Sequence, residues 1–492
     1  MSGLFEPDLA SPKALRPHQV EALRLVRESA SRGNRRIVCQ MPTGAGKTVT
    51  AAKMIGSALA KGNRAIFTVP ALSLIDQTVA AFESEGVVGI GVMQANHPRT
   101  NAAAPVQVAS VQTLARRDIP NAAMVIVDEC HINSDVVARM MAERKDVFFI
   151  GLSATPWAEG MATRWDDLVI PCTMSDLIGA GYLSQFTAFA PDVPDLSGVK
   201  VRAGEYVESG LEAVMGDAKV MGNVVATWLE KAHNRPTLCF AVNRRHAQEL
   251  AEQFRKNGVA TGYVDAFTDG AERSFLNGQF RAGEISVICS VRTMTTGVDL
   301  PVGCIIDAAP TRSEMLHVQK IGRGLRVNPG TEDCLILDHA GNSLRLGLVT
   351  DIHHETLNAK KPGEKGEAKP REDKLPQPCA ACGALHTGLV CPSCGHEKKP
   401  FSGVRSKDGG LVQISGGALK DWPRDEFYAM ALWVDQERGR GGKLALGLFK
   451  GKFGIWPPRN LAPEPLPPNR AFMNYERSRR IAYAKSMQAR GA

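Results

Sequence analysis

Short apolar runs separated by stretches of helical spacing set the rhythm of the first 350 residues. Arg36–Gln40, Ala65–Pro70, Val106–Ser110, Met124–Asp128 and Val147–Leu152 are β-branched or aromatic-rich and bounded by turn residues. Runs of that kind predict strands buried on both faces, and Thr48–Lys61 has the spacing of a helix that would cover them. The pattern pauses over the Gly- and Pro-punctuated segment Leu177–Gly210. It resumes with Thr237–Val242, Thr261–Val264, Ser286–Cys289, Cys304–Ala308 and Asp333–Leu337. The expectation is an α/β protein with two similar parallel-sheet lobes, residues 1–175 and 210–348, joined by a linker at 176–209. Residues 359–374 contain no large apolar side chain, so 349–374 reads as a flexible linker. A Cys-rich unit at 375–400 follows. The extension 401–492 carries a Pro-rich break at Pro457–Pro468 and a helical pattern at Asn474–Ala489.

Length agrees with this division, since 492 residues exceed what one core organises. Charge sharpens it. Residues 397–492 hold 18 Lys and Arg against 9 Asp and Glu, while the whole chain has a net charge of +8. The positive excess therefore sits in the C-terminal segment, where it suits phosphate contacts. No run approaches the ~18 apolar residues of a membrane helix, and the N-terminus lacks a signal peptide's apolar stretch. The expectation is a cytoplasmic protein with no membrane contact. Seven cysteines are scattered through apolar segments, as buried thiols are in a reducing compartment.

The chemistry begins at Met41-Pro42-Thr43-Gly44-Ala45-Gly46-Lys47-Thr48, after an expected strand and before an expected helix. Gly44, Ala45 and Gly46 let the backbone curl so that its N–H groups face phosphate oxygens. Lys47 then reaches the β- and γ-phosphates of ATP, and Thr48 offers its hydroxyl to Mg²⁺. Met41 stands where the general phosphate-loop pattern has its first Gly. The strand expected at Met124 ends in Asp128-Glu129-Cys130-His131. A strand end beside the loop is where Mg²⁺ is held, which suits Asp128, and Glu129 is placed to accept a proton from the attacking water. In Gln319-Lys320-Ile321-Gly322-Arg323-Gly324-Leu325-Arg326, helical spacing puts Arg323 and Arg326 on one face. From the second lobe, both would neutralise charge developing on the γ-phosphoryl group.

A second metal is expected further on. Cys379-x-x-Cys382, eight residues, then Cys391-x-x-Cys394, with Gly383 and Gly395 after the pairs, matches a structural Zn²⁺ site of four thiolates. Four sulfurs close the coordination sphere, so this metal is structural, and a unit of about 25 residues needs such an organiser. Phe449-Lys450-Gly451-Lys452-Phe453-Gly454-Ile455-Trp456 interleaves aromatics with lysines. It reads equally as a base-stacking strip and as part of a small helical core.

Taken in order, Lys47-Thr48, Asp128-Glu129-Cys130-His131, Ser153-Ala154-Thr155, Thr296-Gly297-Val298-Asp299 and Gln319-x-x-Gly322-Arg323-x-x-Arg326 resemble motifs I, II, III, V and VI of superfamily 2 helicases. Within it the chain is most similar to the DECH-box RadD-like DNA helicases, through Arg16-Pro17-His18-Gln19, the Thr-Thr-Gly-x-Asp string and the late Cys-rich region. The resemblance implies two tandem RecA-like lobes, a C-terminal zinc ribbon and a small helical extension. It implies that Gln19 reads the adenine edge, that Gly297 lies near the γ-phosphate and Asp299 near the ribose, and that Ser153, Thr155 and Gln319 couple nucleotide state to nucleic acid. It also implies that Pro70, Ser110, Gln112, Thr113 and Thr295 touch nucleic acid. The expected activity is ATP-dependent DNA translocation or unwinding on single-stranded or branched DNA. Replication, recombination or repair proteins would bind through the zinc unit and tail. An ATP-gated clamp without processive unwinding and an RNA helicase are the alternatives. DECH, the absence of a Pro-Thr-Arg-Glu string and Gln319 in place of His favour DNA.

Overall fold

A computed structural model describes residues 14–359, except 95, 133, 191–195, 197–198, 203, 217, 292–299 and 329–332. Beyond them it describes 377–378, 385–386, 412–415, 423–453, 456–458, 461–468, 472, 476 and 479. Two seven-stranded sheets form the frame.

The first lobe contains β1 (Arg36–Gln40), β2 (Ala65–Val69), β3 (Ile90–Met93), β4 (Val106–Ser110), β5 (Met124–Asp128), β6 (Phe148–Ser153) and β7 (Asp167–Val169), ordered β3-β4-β2-β5-β6-β1-β7. Every pairing is parallel. The inner strands are buried along almost their whole length, which is why they read as continuous apolar runs. Helices α1 (Pro17–Ser31), α2 (Lys47–Leu59) and α3 (Ile75–Ser84) pack beside them, α2 through Ala51, Met54, Ile55 and Ala58. The short helices α4 (Val111–Leu114), α5 (Asp135–Glu143) and α6 (Met174–Gly179) complete the lobe. Strands β3 and β7 were not expected; four and three residues long, they carry too little pattern to separate from loop.

The second sheet runs β12-β13-β11-β14-β15-β8-β18. Its strands are β8 (Gln185–Ala190), β11 (Thr237–Phe240), β12 (Thr261–Val264), β13 (Val287–Ser290), β14 (Cys304–Asp307), β15 (Asp333–Asp338) and β18 (Val412–Ser415). A hairpin of β9 (Val201–Arg202) and β10 (Glu205–Tyr206) precedes the helices α7 (Glu208–Met215), α8 (Ala218–Lys231), α9 (Arg244–Lys256), α10 (Gly270–Arg281), α11 (Glu314–Gly324) and α12 (Asn342–Leu346), and a two-stranded pair of β16 (Gln377–Pro378) and β17 (Leu385–His386) follows them.

Two expected boundaries are corrected. The stretch 176–209 is not only a linker, because β8 pairs in parallel with β15 from Gln185↔Asp333 to Phe189↔Leu337 and belongs to the second sheet. Only β18, antiparallel to β8, lies beyond it. The first part of 349–374 is docked rather than free. Thr350 O accepts from Ser175 Oγ at 3.3 Å, Asn358 O accepts from the Ala162 amide at 3.0 Å, and His354 stacks on Trp157 with centroids 4.7 Å apart. The polar composition that marks a linker begins only at Ala359, after these contacts. An apolar cluster is shared by both lobes and includes Leu177, Ile178, Leu183, Val318, Ile321 and Leu325.

In the C-terminal segment, α13 (Arg424–Glu437) and α14 (Lys443–Phe453) close around Phe427, Met430, Val434, Phe449 and Phe472. The aromatic–lysine strip is thus divided. Phe449 is fully buried and Phe453 packs 5.2 Å from Phe427, whereas Trp456 is exposed beneath Lys450 at 4.4 Å. Most of the helical pattern at Asn474–Ala489 lies outside the described residues.

Candidate active site

The loop between β1 and α2 has the backbone that its glycines predict. Gly44 and Gly46 adopt φ of 85° and 83°, a region disfavoured for residues with a Cβ. Space adds to that demand: a Cβ on Gly46 would collide with Gln19 Nε2, and one on Gly44 would lie 2.7 Å from Leu183 Cδ2. Gly46 caps α2, so Lys47 and Thr48 open the helix and its first amides face the cleft. Lys47 Nζ donates to Met41 O at 3.3 Å. From α1, His18 Nε2 lies 2.8 Å from Ala45 O. Gln19 donates to the Ala45 and Gly46 carbonyls at 3.3 and 3.4 Å while its Oε1 accepts from the Arg16 amide. Gln19 therefore braces the phosphate loop.

Strand β5 delivers Asp128 and Glu129 to the same edge. Glu129 sits at φ 48°, a left-handed conformation that costs a non-glycine residue roughly 1–2 kcal/mol. Glu129 Oε2 is buried and makes no hydrogen bond; His131 Nδ1 stands 3.3 Å away. Asp128 reaches the cleft surface, but the surrounding protein strips away most of its water. That desolvation, with the neighbouring Glu129 charge, lifts its carboxyl to about 7, against the pull of Lys47. Two crowded carboxylates, an orphaned oxygen and a curled amide loop form the donor set that a divalent cation and a phosphate chain would relieve. The residues fit Mg²⁺ at Asp128 and Thr48.

Behind them lies a relay. Burial lowers the affinity of His131 for a proton despite Glu129, which favours the neutral ring. His131 Nδ1 is 2.8 Å from Ser153 Oγ, and Ser153 Oγ accepts from the Thr155 amide at 3.0 Å. Across the cleft, Gln319 Nε2 on α11 lies 3.2 Å from Thr155 Oγ1 and 3.3 Å from His131 Nε2. The three residues expected to couple the site are thus in one hydrogen-bonded chain spanning both lobes. His131 is the link that residue types alone did not single out.

Helix α11 approaches the loop closely. A Cβ on Gly322 would meet Thr43 at 3.3 Å, and the Arg326 side chain passes 3.8 Å from the Cβ position of Gly44. Leu183 bridges to Arg326, and Ser184 N donates to Leu325 O at 2.8 Å, fixing the end of α11. Arg323 is 7 % exposed on the same helix. The inner face of α11 carries a feature the sequence did not suggest. Lys320, fully buried, forms an ion pair with buried Asp307 and donates to Ala309 O at 3.0 Å. Asn342 Nδ2 donates to the other Asp307 oxygen at 2.8 Å. Although burial opposes ionisation, Lys320 and then His317 hold the Asp307 carboxyl well below the usual carboxylate range. The pair ties the arginine-bearing helix to β14.

Other expectations fare differently. Ser110 is withdrawn from the nucleic-acid set, because it is fully buried and its hydroxyl caps α4 by accepting from the Thr113 amide at 3.1 Å. Thr113 shares that cap through its own hydroxyl, while Gln112 is exposed and Pro70 partly so at the end of β2. Thr295, Gly297 and Asp299 lie outside the described residues, as do Cys379, Cys382, Cys391 and Cys394. Among the described residues no three or more His, Cys, Asp or Glu side chains converge as a metal-binding cluster, and no helix is long and apolar enough to cross a membrane.

Residues 12–158 match the family described as type III restriction enzyme, res subunit, and 219–328 match the helicase conserved C-terminal domain. A 51.5 kDa protein of a Lactococcus phage (isolate 7-9) is 26% identical over 73% of this chain and 77% of its own. A Saccharomyces cerevisiae protein named "Putative ATP-dependent helicase IRC3" is 30% identical over 69% of this chain, which spans 53% of that relative's length. The solved structure of the ATP-dependent Type ISP restriction-modification enzyme LlaBIII bound to DNA superposes with a TM-score of 0.50 at 16% identity. That match covers 67% of this chain and 28% of the other, and supports the two-lobe fold. With both lobes matched and motifs I, II, III and VI converging on one cleft, the chain belongs to the DEAD/DEAH-type helicases of superfamily 2.

Proposed function

We propose that the protein is an ATP-dependent DNA translocase or helicase that hydrolyses ATP between its lobes. The observation that carries this reading is Arg326 of the second lobe lying against Gly44 of the first lobe's phosphate loop. Lys47 neutralises the phosphates, Glu129 accepts the proton of the attacking water, and Arg323 and Arg326 stabilise charge on the transferring phosphoryl group. Thr48 and Asp128 would hold Mg²⁺, which would offset negative charge on the phosphates. Gln19 keeps the loop in place beside the adenine, while Gly297 and Asp299 serve the γ-phosphate and ribose. Loss of the γ-phosphate loosens Arg326 and lets the Gln319–His131–Thr155 contacts part, so that one lobe moves against the other. Pro70, Gln112, Thr113 and Thr295 contact the DNA strand.

Within the superfamily we place the chain nearest the RadD-like helicases, on the DECH string, Arg16–Gln19 and the paired cysteines. Zn²⁺ bound by Cys379, Cys382, Cys391 and Cys394 organises a ribbon. Supporting this, Gln377–Pro378 and Leu385–His386 pair antiparallel on either side of the first cysteine pair. The basic segment 397–492 is the surface for replication or repair proteins. Buried free thiols at Cys39, Cys130, Cys172, Cys239, Cys289, Cys304 and Cys334 suit the cytoplasm. ATPase rates measured side by side with single-stranded, duplex and forked DNA and with RNA test the reading, with Glu129→Gln as the inactive control. Stimulation by DNA above RNA is expected. No stimulation by any nucleic acid would refute it, and stimulation without displacement of a strand on forked DNA would make the protein a translocase or clamp.

A further inference from the structure

We propose that Phe267, stacked on Arg244 in the second lobe, is a platform for one nucleobase of the bound single strand. The inference rests on the DNA-translocating reading above and concerns residues outside motifs I, II, III, V and VI.

Phe267 is 77 % exposed, the most exposed of the large apolar side chains among the described residues. Leaving such a ring in water forfeits about 1.5–3 kcal/mol of burial, so a pliable loop would fold it inward. This loop, between β12 and α10, is not pliable. Asp265 lies at its base, and one carboxylate oxygen accepts from the Phe267 and Thr268 amides at 2.8 and 3.0 Å. The other accepts from Tyr263 Oη at 2.7 Å and from Arg244 Nε at 2.5 Å. Thr268 Oγ1 accepts from the Asp265 amide, and Arg273 Nη2 donates to the Asp265 and Thr268 carbonyls at 3.0 and 3.3 Å. Burial opposes ionisation of Asp265, yet these bonds hold its carboxyl at about 2. The clamp displays the ring instead of hiding it.

Arg244 Cζ stands 4.6 Å above the ring centroid, and its side chain is 57% exposed. A fixed aromatic with a guanidinium on one face offers stacking for a base and charge for the adjoining phosphate. Beside the ring the Asp269 carboxylate caps α10, so a charged group borders the platform. Position agrees. Phe267 follows the edge strand β12 and Arg244 follows β11, at the C-terminal ends of strands on one side of β14, against which α11 packs. In the first lobe, Pro70 and Gln112 follow β2 and β4, likewise to one side of the strands β1, β5 and β6 that end at the phosphate loop.

The test uses the full chain and oligothymidylate carrying one 2-aminopurine at successive positions. Parent protein is expected to quench the fluorophore strongly at one position. Phe267→Ala should remove that quenching and weaken oligonucleotide binding about 5–150-fold, with Tm unchanged, whereas Phe267→Trp should retain both signals. Parental quenching and affinity in Phe267→Ala would overturn the proposal and return the exposed ring to a protein partner. Equal loss in the Ala and Trp variants would overturn it as well. Failure of the parent protein to bind any oligonucleotide would instead sink the DNA-translocating reading on which it rests.

Discussion

Replacing Gln319 with Leu probes the link between the lobes with little change in side-chain volume. Gln319 Nε2 reaches Thr155 Oγ1 at 3.2 Å and His131 Nε2 at 3.3 Å, both longer than the usual optimum near 2.9–3.0 Å. Neutral hydrogen bonds contribute about 0.5–1.5 kcal/mol net, so two long ones contribute roughly 1–2 kcal/mol to lobe closure. At about 1.4 kcal/mol per factor of ten, ATP turnover at saturating nucleotide should fall roughly 5–30-fold. Affinity for a fluorescent ATP analogue, set mainly by loop amides and Lys47 in the first lobe, should change much less. A Thr155→Val variant removes one of the two acceptors, so its loss combined with that of Gln319→Leu should be smaller than the product of the separate effects. Steady-state turnover and fluorescence titration of the two single variants and the double variant provide the comparison. Parental turnover in Gln319→Leu, or fully multiplicative losses, would refute the coupling role of this contact.

Beneath the same helix, Asp307→Ala leaves Lys320 buried without its carboxylate and should cost about 3–5 kcal/mol in urea unfolding; adding Lys320→Met should recover much of that loss. A single-variant cost below about 1 kcal/mol would contradict the structural role of the pair. The second lobe also predicts an acid response. Burial lowers His246 and His339 to about 4, so folding favours their neutral forms while unfolded histidine titrates near 6.5. Stability from these residues is full above about pH 6.5 and is lost as pH falls toward 4, with uptake of up to two protons on unfolding. Melting curves at successive pH values should show that decline, reduced in a His246→Gln variant; a flat profile over the interval would contradict it. Metal analysis should find one Zn²⁺ per chain, lost in Cys391→Ser, and unchanged metal content would exclude the four-thiolate site.

The sheets were legible because their strands are buried on both faces. Met124–Asp128 coincides with β5, where the run is apolar up to its last residue, and Val106–Ser110 and Thr261–Val264 coincide with β4 and β12, short segments with β-branched or aromatic residues. Strand β8 was hidden because Gln185, Phe186 and Thr187 mix polar and apolar positions and its partner β15 lies about 150 residues later. The phosphate loop and the acidic strand end were legible because glycine and paired carboxylates have few other uses in that order. Long-range consequences were not. That Ser110 spends its hydroxyl on a cap, that Lys320 sinks toward Asp307 and that His131 meets Gln319 depend on which helix face turns inward. Residue types mark the chemistry, whereas packing decides which groups are left to perform it.

The central claim is that the second lobe completes the nucleotide site of the first. Single-turnover hydrolysis by Arg326→Ala, with ATP affinity measured on the same protein, tests it most directly. Loss of a finger arginine should slow hydrolysis about 10³-fold or more while affinity changes less than about 10-fold. Hydrolysis at close to the parental rate, or equal losses in rate and affinity, would contradict the claim.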